Sequence, residues 1–401
     1  MAEIDSIFAD FDVKFNPTSG TLNLADFTIQ KVMLGESLLT PGLQTTVVGH
    51  SYRHNINPVK DYDPFKNAAV SINITRDFLT KFGKMPSLDV VQRVYRLEDR
   101  KFINSNVEEL TIRACDDTML NDASSLVSKS WKCTTPSEVV GYVLRNCAGA
   151  RSLDIESSSP ARDYIAENIH PFQVVSQQSN VALAEGNDPS FVHYMTYQNF
   201  GTHHFRSLKS LTKQSPIMTY TETETGILSG YGAPDAVQHL SFPCDFDLLT
   251  DVLNGIGTNG RDINSLVVFN PLNKMFSLVG DQTVGCGIGS GVIKYALTNI
   301  NTAQQQNSCN FEVEKYLLRR QARMSLLSSD KIALRMTVPW LPELNVGKVI
   351  ELKLKNKQDP TTLNYGSGKY LILHMMHEVR RGGYAITTMD CVSTTVGEGI
   401  V

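Results

Sequence analysis

Hydrophobic and polar positions alternate with period two over much of the first 130 residues. In AVSINIT, Val70, Ile72 and Ile74 fall on one face, and in ELTIRAC, Leu110, Ile112 and Ala114 do the same. That period marks half-buried strands. TTVVGHSY and VVQRVYRL read the same way, and the polar EDRKFINSN between VVQRVYRL and VEELTIRAC suits a hairpin tip. Near residue 131 the period changes. TTPSEVVGYVLRNCAG predicts a helix with Thr135 as N-cap, Pro136 at the first helical position and Glu138 in the first turn. Its apolar face is Val139, Val140, Val143, Leu144 and Cys147. ARDYIAENI reads as a shorter helix or a loop, and SQQSNVALAEG as a helix closed by Gly186. FVHYMTYQNFGTHHFRSL returns to aromatic-rich strands around a turn at Asn199–Gly201.

Residues 221–235 are polar and Gly-rich and predict a surface loop. SLVVFNP and KMFSLVG pair as a hairpin, followed by GCGIGSG, the polar NTAQQQNSCN and a basic amphipathic helix, FEVEKYLLRRQARMSLL. Four strands close the chain: KIALRMTV, KVIELKL, YLILHMMHEV and YAITTMDCV. A weak repeat emerges. VQRVYRLEDRKFINSNVEELTIRACD (91–116) and ILHMMHEVRRGGYAITTMDCV (372–392) are both long hairpins with a charged tip, and each ends in a strand that closes with a Cys. Each also follows another strand, AVSINIT or KVIELKL.

Composition narrows the class. The 401 residues exceed one ordinary core, so two or three domains are expected. Net charge of -4 argues against avid nucleic-acid binding. The seven cysteines have no CxxC spacing, which predicts free thiols made in a reducing compartment. The N-terminal segment lacks the basic, apolar pattern of a signal peptide, and no apolar run reaches membrane-span length.

The candidate chemistry is thin. His374, His377 and Glu378 in HMMHE do not have HExxH spacing. Gly382–Gly383 predicts a two-residue turn between strands, and strand alternation points the two histidines to opposite faces. On that count Leu371, Leu373, Met375, His377 and Val379 share one face, and Ile372, His374, Met376 and Glu378 the other. GCGIGSG lacks the strand, helix and acidic residue of a dinucleotide site. YGSGKY has Tyr370 where a phosphate-binding loop needs Ser or Thr, and reads as a turn. His203 and His204 default to packing, Asp245 and Asp247 to a solvated loop, and KYLLRRQAR to the wet face of a helix. No serine has a nucleophile-elbow setting. No catalytic, cofactor-binding or metal-ligating residue is expected, and no cofactor.

The order of elements resembles the central baseplate hub proteins of contractile-tailed, T-even-type bacteriophages over most of the chain. FQVVSQQSNVALAEGNDPSFVHYMTYQNFGTHHFRSLKSLTKQSPIMTY (172–220) is similar to that family's middle segment, and LNVGKVIELKL with GKYLILHMMHEVRRGGYAITTMD to its C-terminal sheet. His377–Glu378 match a His-Glu step in that pattern. The resemblance implies an α+β, β-rich fold. Two tail-tube-like β domains with barrel- or sandwich-like sheets, 1–130 and 236–401, would flank a mixed α/β domain, 131–235, with inserted loops and a helix in the last. It implies a non-enzymatic homotrimer in a virion tail baseplate, made in the host bacterial cytoplasm, that adapts a sixfold tail tube to a threefold spike. Implied partners are the tail tube protein, the trimeric central spike, baseplate wedge proteins and a tape-measure protein. DNA would be met only in transit, and no stable membrane association is implied. The alternatives are a tail-associated cell-wall hydrolase and a hub or spike of a related secretion or injection system.

Overall fold

The computed structural model describes residues 9–16, 27–52, 67–76, 87–223, 226–229, 236–243, 265–270, 275–279, 293–297, 320, 324, 327, 332–355, 363–364 and 366–393. The first stretch holds β1 (Ala9–Asn16), β2 (Phe27–Ser37), β3 (Gln44–Ser51), β4 (Ala69–Arg76), β5 (Ser87–Asn104) and β6 (Val107–Cys115). The middle holds α1 (Asp117–Ser124), β7 (Val127–Thr134), α2 (Pro136–Asn146), β8 (Ser152–Ile155), β9 (Arg162–Ile169), α3 (Pro171–Val181), β10 (Phe191–Thr196), β11 (Thr202–Ser207) and α4 (Leu208–Thr212). The remainder holds β12 (Met218–Glu222), β13 (Leu228–Ser229), β14 (His239–Ser241), β15 (Ser265–Asn270), β16 (Met275–Val279), β17 (Ile293–Leu297), β18 (Leu334–Pro339), β19 (Val349–Lys353), β20 (Gly368–Arg380) and β21 (Ala385–Ser393). The chain is β-rich, with large antiparallel sheets.

Most strands join one 13-stranded sheet. Within it a single strand order occurs twice. The first unit runs β4-β5-β6-β3-β2 and the second runs β19-β20-β21-β18-β14. Every neighbouring pair in both is antiparallel. The likeness extends to single hydrogen bonds. In the first unit the Val94 N–H donates to the Ala68 carbonyl at 3.0 Å, and the Asn67 N–H to the Val94 carbonyl at 3.0 Å. In the second, the Ile372 N–H donates to the Lys348 carbonyl at 3.0 Å and the Gly347 N–H to the Ile372 carbonyl at 3.0 Å. Asn67 and Gly347 both have positive φ, 54° and 77°. One residue further on, both long strands slip register against their hairpin partner, between Val94 and Arg96 and between Ile372 and His374. The hairpins picked out by the sequence repeat therefore occupy equivalent places in two similar units.

The bulge corrects the face count for HMMHE. It puts Ile372 on the same face as Met375, His377 and Val379, because their partners Cys391, Met389, Thr387 and Ala385 lie two apart on β21. The turn is also longer than two residues: the Arg380 N–H donates to the Tyr384 carbonyl at 2.8 Å, leaving Arg381, Gly382 and Gly383 between them. Gly382 and Gly383 have φ of 95° and 96°, which residues with a Cβ avoid.

The two units are welded by β2 and β20. β20 carries β21 along one edge, and its other edge is shared. Gly368–Leu371 pair with β19, and His374–Arg380 pair with β2 of the first unit. Val32 faces Val379 across this seam, and both are fully buried.

A third core lies between the units in sequence. α2 forms as its sequence signals require: Thr135 and Glu138 make a reciprocal capping box and Pro136 opens the helix. Val139, Val140, Val143 and Leu144 pack with Val174 and Val175 of α3 and with Phe191 and Phe205. Four expectations change. ARDYIAENI is strand β9, paired with β7, not a helix or loop. The second helix starts earlier, at Pro171, and is capped at Ala182 rather than Gly186. EDRKFIN continues strand β5, so the hairpin tip shrinks to Ser105 and Asn106. In the polar stretch 221–235, Leu228–Ser229 form a short strand on β12. β15 and β16 do form a hairpin, with β17 added in parallel. GCGIGSG and NTAQQQNSCN lie outside the described residues, as does the 311–327 helix apart from Arg320, Met324 and Leu327.

Core burial sets the expected mutational pattern. Ile112→Ala, at a fully buried site in the first unit, should lose about 2–5 kcal/mol. Ile165→Ala, 63% exposed on β9, should stay within about 0.5 kcal/mol. Urea midpoints of the two variants check the contrast.

Candidate functional site

The chemistry-bearing side chains converge on β10, whose six residues are all buried. A continuous apolar and aromatic run suits a strand covered on both faces. Here the run serves three cores at once. Phe191 enters the middle core; Val192 and Tyr194 enter the second unit's core; Met195 and the adjoining Tyr197 enter the first.

Glu36 fastens this arrangement. It is 4% exposed at the end of β2, and its carboxylate accepts the Tyr197 N–H at 2.7 Å and the Val346 N–H at 3.0 Å. One side chain thus ties the first unit to β10 and to the loop before β19. Burial pushes its carboxyl up to about 7, against the two N–H donors that favour the charged form. The Tyr197 hydroxyl reaches back to donate to the Gln44 carbonyl at 2.8 Å. Across the junction, Gly347 lies so close to Tyr194 that a Cβ there would stand 2.6 Å from the tyrosine oxygen.

Three histidines lie on β10 and its partner β11. His193 and His203 stack with ring centroids 5.3 Å apart, and Nε2 of His193 lies 3.0 Å from Nδ1 of His203. Nε2 of His203 lies 3.1 Å from the Thr118 hydroxyl, which donates to Asp116 Oδ1 at 2.6 Å. Since the hydroxyl proton is committed to Asp116, His203 must donate through Nε2 and accept at Nδ1 from His193. Burial holds both imidazoles below their ordinary range, His203 at about 3. They are neutral braces. On the other face, His204 stacks on Tyr194 at 4.7 Å and meets Asp154 at 2.9 Å and Thr196 at 3.0 Å. The His204 hydrogen bond, with Arg206 nearby, lowers the Asp154 carboxyl to about 2.

HMMHE is a strand. His377 is buried, bonded through Nδ1 to the Thr387 hydroxyl at 2.8 Å, and held at about 4 by burial. His374 is half-buried, and its imidazole is lowered by burial. Glu378 pairs with Arg380. Of YGSGKY, Gly366 lies in a turn and Gly368–Tyr370 open β20, while Tyr365 lies outside the described residues. Arg320, read as part of a wet helix face, is instead part-buried. It donates to the Pro189 and Phe191 carbonyls at 3.0 and 2.9 Å, and burial lowers its guanidinium to about 10. Asp245 and Asp247 lie outside the described residues. Cys115, Cys147 and Cys391 are free thiols, but Cys133 is disulfide-bonded, contrary to the expectation of seven free thiols; its partner lies outside the described residues. Among the described residues no group of three or more His, Cys, Asp and Glu side chains is placed to hold a metal ion. No described helix is long and apolar enough to cross a membrane.

Sequence reasoning missed Glu36, Tyr197, His193, Thr118 and Asp116. Glu36 did carry a signal: it follows Val32 and Leu34 at period two, an acid at a core position of a strand. Nothing local marked Thr118 or Asp116, whose role depends on a histidine 85 residues away from Thr118.

No protein-family model matches the sequence, and no curated protein matches it at significant similarity. Solved structures do share its fold. A tail protein from Neisseria meningitidis matches with a TM-score of 0.55 and 11% identity over 96% of this chain and 97% of its own. The 43 kDa tail protein of a Shewanella oneidensis prophage matches with a TM-score of 0.54 and 10% identity over 96% and 97%. An Escherichia coli type VI secretion component, itself similar in structure to bacteriophage T4 tail proteins gp27 and gp5, matches with a TM-score of 0.50 and 11% identity over 96% of this chain and 77% of its own. The chain has the fold of these tail proteins.

Two substitutions test the junction. Glu36→Gln leaves one N–H without its acceptor and should cost about 1–3 kcal/mol. The carboxyl is raised from 4.5 to about 7, so its protonation stabilises the fold fully below pH 4.5, and that stabilisation is lost as pH rises through about 7. Gln does not titrate, so the wild-type advantage should be larger at pH 5 than at pH 8; urea midpoints of both proteins across that window read it. Gly347→Ala, strained by its positive φ and crowded by Tyr194, should lower the thermal midpoint more than Gly226→Ala, where φ is also positive but the space is open.

Proposed function

We propose that this chain is the structural hub of a contractile-tail baseplate, a homotrimer that adapts a sixfold tail tube to a threefold central spike. The observation that carries this reading is the strand order repeated within a chain that has the fold of tail proteins. A chain with two similar units offers a sixfold partner six of them when three copies assemble. The two units would be the tube-like β domains, near 1–130 and 236–401, with the mixed domain of 131–235 between them.

The tube protein would sit on the six-unit face and the trimeric spike on the opposite one, with wedge proteins around the rim and a tape-measure protein at the tube end. Net charge of -4 suits a conduit that must let DNA slide rather than hold its phosphates. His193 and His203 are enclosed braces, and the part-exposed Asp154 is held by His204 and Arg206 rather than set opposite a second acid or base, so the geometry around β10 gives a cell-wall hydrolase no support. A hub of a secretion system is the nearer rival. The fold likeness spans 97% of each tail protein but 77% of the secretion component, which favours the phage tail.

Cryo-electron microscopy of assembled tails, or of this chain with its spike, tests the reading. Three copies should lie below the first tube ring, with the two units of each chain related by about 60° around the axis, as a closed ring of six requires. A hexamer of this chain would overturn it.

A further inference from the structure

We infer that successive copies of this chain join by strand addition, with the distal half of β5 (98–104) of one copy pairing antiparallel with β14 of the next. This rests on the trimeric hub reading and names the contact that would close the ring.

The chain already contains one such joint. In the second unit, the half of β20 beyond β19 pairs with β2, the outer strand of the first unit. The repeated strand order makes β5 the counterpart of β20, and β14 the counterpart of β2. β4 covers β5 only from Ser87 to Arg93, and among the described residues no strand pairs with the same edge beyond it. β14 pairs with β18 on one side and, among the described residues, with no strand on the other. Among the described residues each copy therefore carries both halves of the β2–β20 joint as unpaired edges, one on β5 beyond β4 and one on β14. Such edges favour a strand from another chain.

One matching bulge and the matching backbone bonds align the two units, and the hairpin partners carry the register past a further bulge of β5, between Glu98 and Lys101, that β20 lacks. Val94 corresponds to Ile372 and Ala114 to Cys391, so Phe102 corresponds to Val379 and Lys101 to Glu378. Through β3 and β18, Val32 corresponds to Leu240 and Met33 to Ser241. The internal pairs Val32–Val379 and Met33–Glu378 thus predict Leu240–Phe102 and Ser241–Lys101 between copies. The burial agrees. Val379 and Val32 are fully buried in the internal joint, whereas Phe102 is 70% exposed and Ile103 beside it 52%. The segment bulges twice more, between Glu98 and Lys101 and between Phe102 and Asn104, and Asp99 has a positive φ of 51°, so Lys101 and Phe102 are the pair that stays in regular register at the edge. Arg100 grips Glu108 across the hairpin at 2.9 and 2.7 Å and lies 5.1 Å over the Phe102 ring, while Arg113 pairs with Glu98. An edge joined to a different edge is a head-to-tail contact, which closes into a ring of three when each step turns by a third of a full rotation without translation along the axis.

Cysteine trapping in the full-length chain tests the pairing. Lys101→Cys and Ser241→Cys together, oxidised in assembled tails, should give covalently linked trimers that reductant releases, and neither single variant should link. A link formed by Lys101→Cys alone would mean like edges pair, and would overturn the inference. Tails holding three copies of the chain in a ring without the paired link would overturn it while leaving the hub reading intact. Tails with no such ring would remove both. Phe102→Asp supplies an independent reading: assembly should weaken by about tenfold or more, with the thermal midpoint of the isolated chain unchanged. Undiminished assembly of that variant would also overturn the inference.

Discussion

A single buried carboxylate sets how the parts of this protein meet. Glu36 sits on β2, yet both of its hydrogen-bond partners are backbone N–H groups from elsewhere, 161 residues away at Tyr197 and 310 away at Val346. A buried N–H without an acceptor is costly, so each of these contacts constrains a main-chain position and not merely a side chain. The first fixes where β10 leaves its sheet. The second fixes the approach to Gly347, whose tight contact with Tyr194 locks the loop before β19. β10 then places aromatic and thioether side chains into three cores. The seam between β2 and β20 continues the same sheet through the junction. The three cores are coupled, because none can repack without disturbing a strand it shares with another.

The pairing of neutral histidines near this junction fits that role. His193 and His203 are held uncharged by burial, and their bonds run in one direction to Asp116. A group poised for proton transfer needs access to a substrate and an ordinary acid-base range. These have neither. Their contribution is to satisfy polar atoms inside a strand that must be apolar on both faces.

Much of the fold was legible in the sequence where local physics decides it. The capping box of α2, the period-two strands β4 and β6, and the four closing strands each follow from patterns within a dozen residues. The repeat was legible too, though weakly, because what the two units share is strand order, a bulge and two backbone bonds rather than side chains. The errors lie where tertiary contacts override local preference. Arg162–Ile169 has no strict alternation, and it becomes a strand through pairing with β7. Leu373 sits in a bulge that no propensity marks, and it shifted the face count of the residues before it. Arg320 looked solvated because its neighbours in sequence are charged, while its actual partners are carbonyls about 130 residues away. The candidate site was the least legible part, since the bonds that fix its place, from Glu36 to Tyr197 and Val346 and from His203 to Thr118, join distant segments.

The two long hairpins show how one architecture can be given two different edges. In β20 the half beyond β19 reads His-Met-Met-His-Glu-Val-Arg, and most of it is buried against β2 within the chain. The matching part of β5 reads Glu-Asp-Arg-Lys-Phe-Ile-Asn, with its four charged residues in the first half, Glu98 to Lys101. An apolar free edge would pair with any strand that met it; charges on that edge suppress indiscriminate pairing. Yet two adjacent large apolar residues, Phe102 and Ile103, remain on the charged edge at its tip. Charge that discourages chance partners, set beside an apolar pair at one register, is what selectivity for a particular edge requires: a partner must place its own apolar residue opposite that pair to recover the cost of desolvating the charges around it. The internal joint needs no such discrimination, because chain connectivity supplies its partner.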